Sequence, residues 1–322
     1  MRHWLRHNGV LVITLASVLL YAGFVEWAFG WRNILEGWQD LGLAPTLIAV
    51  AALVGTQAIR THRIGDYFGT ATAGSFFALY RVTQIHNLLN IMLPFRTGET
   101  SFPVLMRAEF EVPLARGTAA LLVLRLMDLH ALLAAAGLAL VADYAFAPLA
   151  ILLWLAFALL PIALFPFGQA LLAWLEERLS GRLKHFAGEA RTGLPAHFPA
   201  FFRAWALTIA NWLIKIVVMA WALLLMGVTP LAATFGGAVG GELSSVLPFH
   251  APAGVGTYPA GIAAGAAIFG AARSGSAFET LATAGINLHL LVIVSALVAT
   301  ALSLLVPKSR TRPSEPAQSA GD

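Results

Sequence analysis

The sequence contains no cysteine and few charged side chains, and each shortage narrows the class of protein. Without cysteine, disulfide bonds and thiolate metal sites are excluded. Only 11% of the 322 residues are charged, whereas about a quarter of the residues in a soluble domain are. The formal net charge of +4 could suit a nucleic acid, but the basic residues stand beside apolar runs, where positive charge sets membrane topology. We therefore expect an integral membrane protein with no nucleic-acid partner.

Motifs for the common catalytic machineries are also missing. The chain has no HExxH metal motif, no Walker A phosphate-binding sequence and no GxSxG nucleophile elbow. The segment Gly254-Val255-Gly256 lacks the third glycine and the strand context of a dinucleotide-binding loop. The sequence therefore predicts no catalytic residue, metal or cofactor, and the protein is not expected to be an enzyme.

Long apolar runs dominate the chain, since 59% of its residues are hydrophobic. A helix needs about 20 apolar residues to cross the hydrocarbon core of ~30 Å. Six segments are predicted to be full spans: residues 9–29, 42–59, 114–141, 148–167, 202–226 and 281–306. The first could instead be a signal peptide, because Arg2 and Arg6 precede it, but it is longer than a usual signal-peptide core and more spans follow.

Basic residues orient these spans, because Lys and Arg accumulate on the cytoplasmic side. The connections on the other side hold only Arg32 and Arg273, whereas Arg60 and Arg63 are assigned to the cytoplasmic end of the second span. We predict a multi-pass protein of a bacterial-type plasma (inner) membrane with both termini in the cytoplasm. Its residues 1–306 would form a single all-α membrane domain, followed by a disordered cytoplasmic tail over residues 307–322.

A further apolar segment, residues 82–106, is broken in its middle. A helix that enters it must stop near Pro94, because proline has no amide donor and clashes with the preceding turn. Gly98 would then allow a sharp reversal, and Thr100 or Ser101 would cap a new helix. The segment therefore predicts two half-helices that meet at a charged turn.

The second broken segment, residues 231–271, carries its proline and glycines between residues 248 and 256. The charge pattern places both ends of each broken segment on one face, so we predict two re-entrant broken helical hairpins that enter from opposite faces. An alternative makes residues 69–93 a full span, but this would bury Arg81 near the middle of the bilayer, where a charge is costly.

Each half of the chain then consists of two spans, a broken hairpin and a further span. Because the halves begin at opposite faces, residues 9–142 and 148–306 are predicted to form an inverted repeat, which is typical of membrane transporters with a site near the midplane. The two turns also match in sequence: Leu-Pro-Phe occurs at residues 93–95 and 247–249, and a glycine and an aromatic-proline pair follow in both.

Between the fourth and fifth spans, residues 169–194 place four leucines and Phe186 on one helical stripe. The stripe predicts a helix on the cytoplasmic leaflet near anionic lipid, although a soluble connecting helix would show the same periodicity. Elsewhere, glycines at GxxxG spacing predict close helix packing: Gly236, Gly237, Gly240, Gly241, Gly261 and Gly265.

Polar side chains in apolar spans are costly, so they face one another or a wet cavity. The candidate substrate-binding residues come from the spans and the two turns: Asn87, Asn90, Arg96, Gly98, Glu99, Arg125, Asp128, Glu242, His250, Gly254 and Gly256. Guanidinium groups match phosphate oxygens in a bidentate way. Half-helices that begin after the glycines would add free amides. The acids could balance the arginines or bind a cationic part of a headgroup.

Structural alternatives exist for two pairs of residues. Arg125 and Asp128 are three residues apart on one helix and could form a structural ion pair rather than a site. Asn211 and Lys215 share a face of the fifth span, where Lys215 could be structural or could reach the interface by snorkelling.

The first turn, Asn90-Ile-Met-Leu-Pro94-Phe-Arg96-Thr-Gly98-Glu99, resembles the N-x3-P-x-R-x-G-E motif of the lysylphosphatidylglycerol synthase membrane-region family, also called the flippase-like domain. The second turn is similar to that family's glycine-rich motif, and the span pattern matches over nearly the whole chain. The resemblance implies a multi-pass inner-membrane protein linked to translocation of lipids or lipid-linked glycans. Lysyl-lipid synthesis in the family belongs to a separate soluble domain, so no synthase activity is expected here.

One position departs from the family pattern. The second motif of the family commonly continues to a glutamate, where this chain has Pro259. If that acid binds a headgroup or a proton in relatives, this chain would use Glu242 or His250 instead, or would not bind that group at all.

These features predict a flippase or transporter whose substrate has an anionic or lipid-linked headgroup, which crosses a midplane cavity while the acyl chains stay in lipid. Without an ATP site in the sequence, movement would be downhill or ion-coupled. A second hypothesis is a membrane scaffold that docks a lipid-modifying or glycosyl-transferring enzyme through the glycine-rich surface and the amphipathic helix. A third is an integral-membrane transferase that uses Glu99 or Glu242 as a base.

Overall fold

The computed structural model describes residue 16 and residues 19–143, 147–246 and 251–305. Within these residues the chain is helical and has no β-strand. Its twelve α-helices are α1 Leu19–Ala28, α2 Trp31–Leu41, α3 Leu43–Phe68, α4 Phe76–Met92, α5 Ser101–Phe110, α6 Leu114–Asp143, α7 Pro148–Arg178, α8 Gly181–Thr192, α9 Phe198–Leu225, α10 Leu231–Val246, α11 Thr257–Ile268 and α12 Gly275–Leu305. Short 3₁₀ segments lie at Gly69–Thr72, Pro94–Thr100 and Pro252–Gly254. The predicted all-α class is confirmed.

Five helical segments in the described ranges are long and apolar enough to cross a membrane: Leu43–Thr72, Leu114–Val141, Pro148–Arg178, Phe198–Leu225 and Gly275–Leu305. They correspond to the second to sixth predicted spans. Only the later part of the first predicted span is described, as the apolar helix α1. The total of six full spans therefore stays a prediction, and the tail predicted at residues 307–322 lies outside the described residues.

The second span is longer than its apolar run indicates. The run ends at residue 59, but α3 continues to Phe68, so Arg60 and Arg63 lie within this helix and inside the fold rather than in a connection that follows it. Their cytoplasmic side stays a prediction. The Arg63 side chain is only 1% exposed. A buried charge is tolerated when it is paired and hydrogen-bonded, and Arg63 meets this condition through Asp128 and Thr208.

The predicted single helix over residues 169–194 is in fact two helices. The chain adopts an extended conformation at Leu179 and Ser180, between the end of α7 and the start of α8. Glu176 and Arg191 join the two helices through an ion pair of 3.1 Å. The side chains of the apolar stripe on α8 are exposed, so they can contact lipid, and the leaflet position stays a prediction.

Both broken segments form helix pairs, as the prolines predict. Residues 69–93 are not one helix, because α4 begins only at Phe76 after a separate 3₁₀ turn. Pro103 and Pro259 each occupy the third position of the helix that follows the break. The two segments meet, since Arg96 Nη1 donates a hydrogen bond to the Val246 carbonyl oxygen. Their re-entrant course and the inverted repeat stay predictions.

α10 and α11 pack through glycine, as the GxxxG spacings predict. A Cβ atom on Gly240 would lie 2.9 Å from the Gly265 Cα atom, and one on Gly261 would lie 2.6 Å from the Gly240 carbonyl oxygen. Backbone atoms cannot move aside as a flexible side chain can, so only glycine permits this approach. This glycine surface is therefore covered within the chain itself.

Gly240→Ala should destabilise the protein by about 1–3 kcal/mol, the usual cost of overpacking. Gly55→Ala is the matched control, because a Cβ atom at this position in α3 meets no atom within 4 Å and alanine favours a helix more than glycine does. Thermal unfolding in one detergent measures both variants. Gly240→Ala should unfold at a lower temperature than wild type and Gly55→Ala should not; an unchanged temperature for Gly240→Ala would contradict the glycine packing.

Candidate functional site

A polar cavity lies where the two broken segments meet. Its walls come from α3, α4, α6, α9, α10, α11 and α12 and from the turn after α4. Its volume of about 90 Å³ has room for several water molecules, since one water needs ~10–15 Å³ of such space. Charged and amide side chains line much of it: Gln57, Arg60, Asn87, Asn90, Arg96, Arg125, Lys215 and Glu242. A wet cavity beside the turns is what the polar residues predict.

The turn after α4 contains an uncommon backbone conformation. Arg96 has a φ of 55°, in the left-handed region that costs a residue with a Cβ atom about 1–2 kcal/mol. The chain reverses at Gly98, as predicted, and the reason is the space that glycine leaves. Glycine is needed there because a Cβ atom would lie 2.5 Å from the Asn90 Cα atom. The turn thus folds back tightly against the end of α4.

The predicted side-chain cap of α5 is not formed. Thr100 and Ser101 instead donate hydrogen bonds backwards, to the carbonyl oxygens of Thr97 and Gly98. The Ser101 hydroxyl also lies 3.0 Å from His86 Nδ1. A 3₁₀ segment runs directly into α5, so the hydroxyls stabilise the turn and its contact with α4.

Glu99 joins this turn to α6. Its carboxylate forms an ion pair with Arg96, three residues earlier. It also pairs with Arg125, whose Nε lies 2.9 Å from Oε1 and whose Nη2 lies 3.2 Å from Oε2. Arg125 Nη2 also donates a hydrogen bond to His86 Nε2 at 3.3 Å. Charge-assisted bonds of this kind are stronger than neutral ones, so Glu99 fixes both arginines at the cavity wall.

Asp128 lies deeper and has other partners. Its Oδ1 accepts hydrogen bonds from Arg63 Nη1 at 2.6 Å and from Trp212 Nε1 at 2.9 Å. The predicted pair with Arg125 exists, but at 3.5 Å it is the longer contact for both residues. Asp128 is 2% exposed and is not among the residues that line the cavity. Its position favours the structural alternative over contact with a substrate.

Near the second turn, Glu242 of α10 is 2% exposed and bound on both sides. Its Oε2 lies 2.8 Å from Lys215 Nζ, and its Oε1 accepts a hydrogen bond from the Tyr258 hydroxyl at 2.6 Å. The Tyr258 ring stacks on His289 with centroids 4.9 Å apart. Lys215 therefore does not snorkel; it pairs with a predicted site residue at the cavity.

Arg60 is one of several cavity residues that the predicted substrate-binding set lacks; others are Gln57, Lys215, Tyr258 and His289. Arg60 Nη1 donates a hydrogen bond to Asn87 Oδ1 at 3.0 Å. In the part of the chain that the structure describes, it has no carboxylate within 4.0 Å. The sequence did contain a signal for Arg60: Gln57 and Arg60 are three residues apart, so the two polar side chains share a face of the helix. Both line the cavity. The positive-inside pattern hid this signal by assigning Arg60 to a flank.

Five of the predicted site residues line the cavity: Asn87, Asn90, Arg96, Arg125 and Glu242. Glu99 is not among the residues that line the cavity, but its carboxylate forms ion pairs with Arg96 and Arg125. Gly254 and Gly256 have φ values of 70° and 73° and shape the second turn. His250 lies outside the described residues, so its predicted role has no structural account.

The buried network has an excess of positive charge. Among the described residues, five basic side chains stand against three acidic ones, which leaves two positive charges in excess: Arg60, Arg63, Arg96, Arg125 and Lys215 against Glu99, Asp128 and Glu242. Uncompensated charge is costly away from water, so the cavity favours an anion. Among the described residues no three His, Asp or Glu side chains cluster closely enough to hold a metal ion.

A family model for the lysylphosphatidylglycerol synthase TM region matches residues 10–307, nearly the whole chain. The protein belongs to this family. The resemblance carried by the two turns is thereby confirmed, and membership indicates an integral membrane protein with a lipid-related function. A search of curated proteins and a search of solved structures each found no match.

In this member of the lysylphosphatidylglycerol synthase TM-region family, a carboxylate of α10, the helix before the second turn, contacts α11, the helix after it. The resemblance implies a glutamate at the position of Pro259. The preceding residue is Tyr258, whose hydroxyl donates a hydrogen bond to the Glu242 carboxylate. Glu242 thus provides a carboxylate within the second broken segment, and its replacement of the family's glutamate stays a prediction.

Proposed function

We propose that this protein moves a lipid with an anionic, phosphate-containing headgroup across a bacterial-type plasma membrane whose cytoplasmic side holds both chain termini. The observation that supports this proposal most strongly is Arg60, a cation at the cavity whose described partner is an amide rather than an acid. The surplus of two positive charges in the surrounding network supports the same substrate class. Phosphate oxygens accept several hydrogen bonds at once from guanidinium groups.

In this mechanism the two broken segments are re-entrant hairpins of an inverted repeat, and the headgroup passes between their turns. A phosphate in the cavity would compete for the Arg96 guanidinium. Because Arg96 ties the first turn to Val246 of the second segment, its transfer to a phosphate would release the contact between the turns. Acyl chains would stay in lipid, since the cavity is polar and small.

The proposal is tested in vesicles that contain the purified chain and a fluorescent phosphatidylglycerol. A membrane-impermeant reductant bleaches the label in the outer leaflet only. Any loss of fluorescence beyond the share of labelled lipid in that leaflet therefore measures movement of lipid from the inner to the outer leaflet. We expect vesicles with the protein to lose the label faster than empty vesicles. Equal rates for protein-containing and empty vesicles would contradict transport of this lipid class.

Arg60→Gln should slow this movement at least about tenfold, because a hydrogen bond to a charged group contributes ~1.5–3 kcal/mol. Glutamine retains a polar group near Asn87 but removes the charge. Arg32→Gln is the control, since Arg32 lies on the surface in an exposed pair with Glu36 and its loss should leave the rate unchanged. Movement at the wild-type rate in Arg60→Gln would remove the proposed role of Arg60.

The scaffold hypothesis loses one of its two supports in this fold. The glycine-rich surface on which an enzyme would dock is occupied by the packing of α10 against α11. The exposed apolar side chains of α8 remain available to a partner. Co-purification of a stoichiometric enzyme, with tolerance of substitutions at both turns, would favour the scaffold over the transporter.

A further inference from the structure

We propose that Glu242 is a proton-binding site through which the protein carries one proton with each anionic headgroup. This inference rests on the proposed function and adds the coupling ion to it. It is carried by the geometry of the pair that Glu242 forms with Lys215 at the cavity wall.

The two members of this pair differ in their access to the cavity. The Lys215 side chain is 17% exposed and the Glu242 side chain is 2% exposed, and both residues line the cavity. An anion that enters therefore meets the ammonium group first. The anion can pair with the Lys215 ammonium group in place of Glu242, while the Glu242 carboxylate stays buried.

Loss of Lys215 as a partner would leave the carboxylate of Glu242 charged and buried. Burial without a counter-charge disfavours the ionised form of a carboxyl group, so Glu242 would take up a proton. The Tyr258 hydroxyl can serve both states, because a phenolic hydroxyl donates to a carboxylate and accepts from a carboxylic acid. Glu242 thus has a partner before and after the exchange.

No other described cation replaces Lys215 at Glu242. Charged and titratable groups reach this part of the cavity from each surrounding element: Arg60 on α3, Arg96 in the first turn, Arg125 on α6, Lys215 on α9, Tyr258 on α11 and His289 on α12. Arg96 and Arg125 pair with Glu99, and Arg60 bonds to Asn87. Within the described residues Glu242 therefore has a single cationic partner.

The exchange keeps the charge of the buried site constant. Before binding, the site holds the ammonium group and the carboxylate; afterwards it holds the ammonium group, the anion and a neutral carboxylic acid. The proton comes from water on the side of entry and leaves with the headgroup on the other side. Transport of a headgroup with one negative charge is then electroneutral, and a proton gradient drives it.

The test measures binding of dihexanoyl phosphatidylglycerol, a soluble lipid, to the purified chain by calorimetry at about pH 6 and about pH 8. The phosphodiester keeps one negative charge throughout, so a pH effect belongs to the protein. Because the bound state holds one more proton, the affinity of the wild-type chain for the lipid should fall as the pH rises, by up to about tenfold per pH unit. Heats measured in buffers of different ionisation enthalpy should show uptake of about one proton per lipid bound.

Glu242→Gln should remove both effects: the ratio of its affinities at the two pH values should be close to one, whatever the affinity itself is. Glu279→Gln is the matched control, since Glu279 is exposed on α12 and should behave as wild type. Wild-type affinities that are equal at both pH values, or pH dependence retained in Glu242→Gln, would overturn the proposal. Even if the variant does not fold, a wild-type proton count near zero would overturn the proposal.

A vesicle experiment separates this inference from the proposed function. A pH gradient across vesicles with the wild-type chain should shift fluorescent phosphatidylglycerol towards the alkaline side, because protons and headgroups move together. Movement of the lipid that ignores the gradient would overturn coupling and leave the proposed function intact. Absence of any movement would overturn the proposed function itself.

Discussion

Asp128→Ala should destabilise the protein by about 3–5 kcal/mol, the usual cost of removing one member of a buried ion pair. The loss is large because Arg63 would keep its charge at 1% exposure without its carboxylate. Trp212 would lose its acceptor as well. Since these residues lie on α3, α6 and α9, the effect should extend to the packing of three helices rather than to one side chain.

Unfolding of the purified variant in detergent, followed by heat or denaturant, measures this loss. Glu36→Gln is the control, because Glu36 pairs with Arg32 on the surface and exposed pairs contribute under about 1 kcal/mol. The double variant Arg63→Met with Asp128→Leu removes both charges and should recover much of the stability. If Asp128→Ala were as stable as Glu36→Gln, the structural role of Asp128 would be refuted.

Glu99→Gln should reduce lipid movement at least about thirtyfold while the helices stay folded. Breaking a buried hydrogen-bonded charge pair costs ~2–5 kcal/mol, and ~1.4 kcal/mol corresponds to tenfold. Glutamine has nearly the volume of glutamate but no charge, so Arg96 and Arg125 would repel each other across it. Arg96 also holds the second segment through Val246, so its displacement would alter the junction of the two turns.

The vesicle assay with fluorescent phosphatidylglycerol measures this effect, and unfolding in detergent verifies that the variant is folded. Glu177→Gln serves as the control, since Glu177 is exposed at the end of α7 and should move lipid at the wild-type rate. Rapid movement in Glu99→Gln would show that the ion pairs of Glu99 with Arg96 and Arg125 are not needed for transport.

The local features of the chain could be predicted because they depend on neighbours in sequence. Proline ends a helix wherever it lacks an amide donor, so the break near Pro94 follows from the sequence, and the same reasoning predicted the break between α10 and α11. The motif around Arg96 and Glu99 sufficed for the family, which the match over residues 10–307 confirms. The glycine spacings predicted a close helix pair, which α10 and α11 form.

The sequence did not reveal ion-pair partners that lie far along the chain. Arg63 looked like a flanking residue at the end of an apolar run, but its carboxylate partner, Asp128, is 65 residues away. Asp128 in turn was predicted either as a site residue or as a structural partner of Arg125, and its shortest contacts are with Arg63 and Trp212. Helical periodicity reports which side chains share a face, and it does not report which other helix packs on that face.

The sequence by itself therefore determined the membrane character, the position of the helix breaks and the family, because each depends on composition or on a contiguous pattern. The tertiary structure decided which charges pair. In the structure, Arg60 lines the cavity and Asp128 does not, and Lys215 of α9 pairs with Glu242 of α10. Pairing follows from the distance between side chains on packed helices, and that distance is set only when the helices come together.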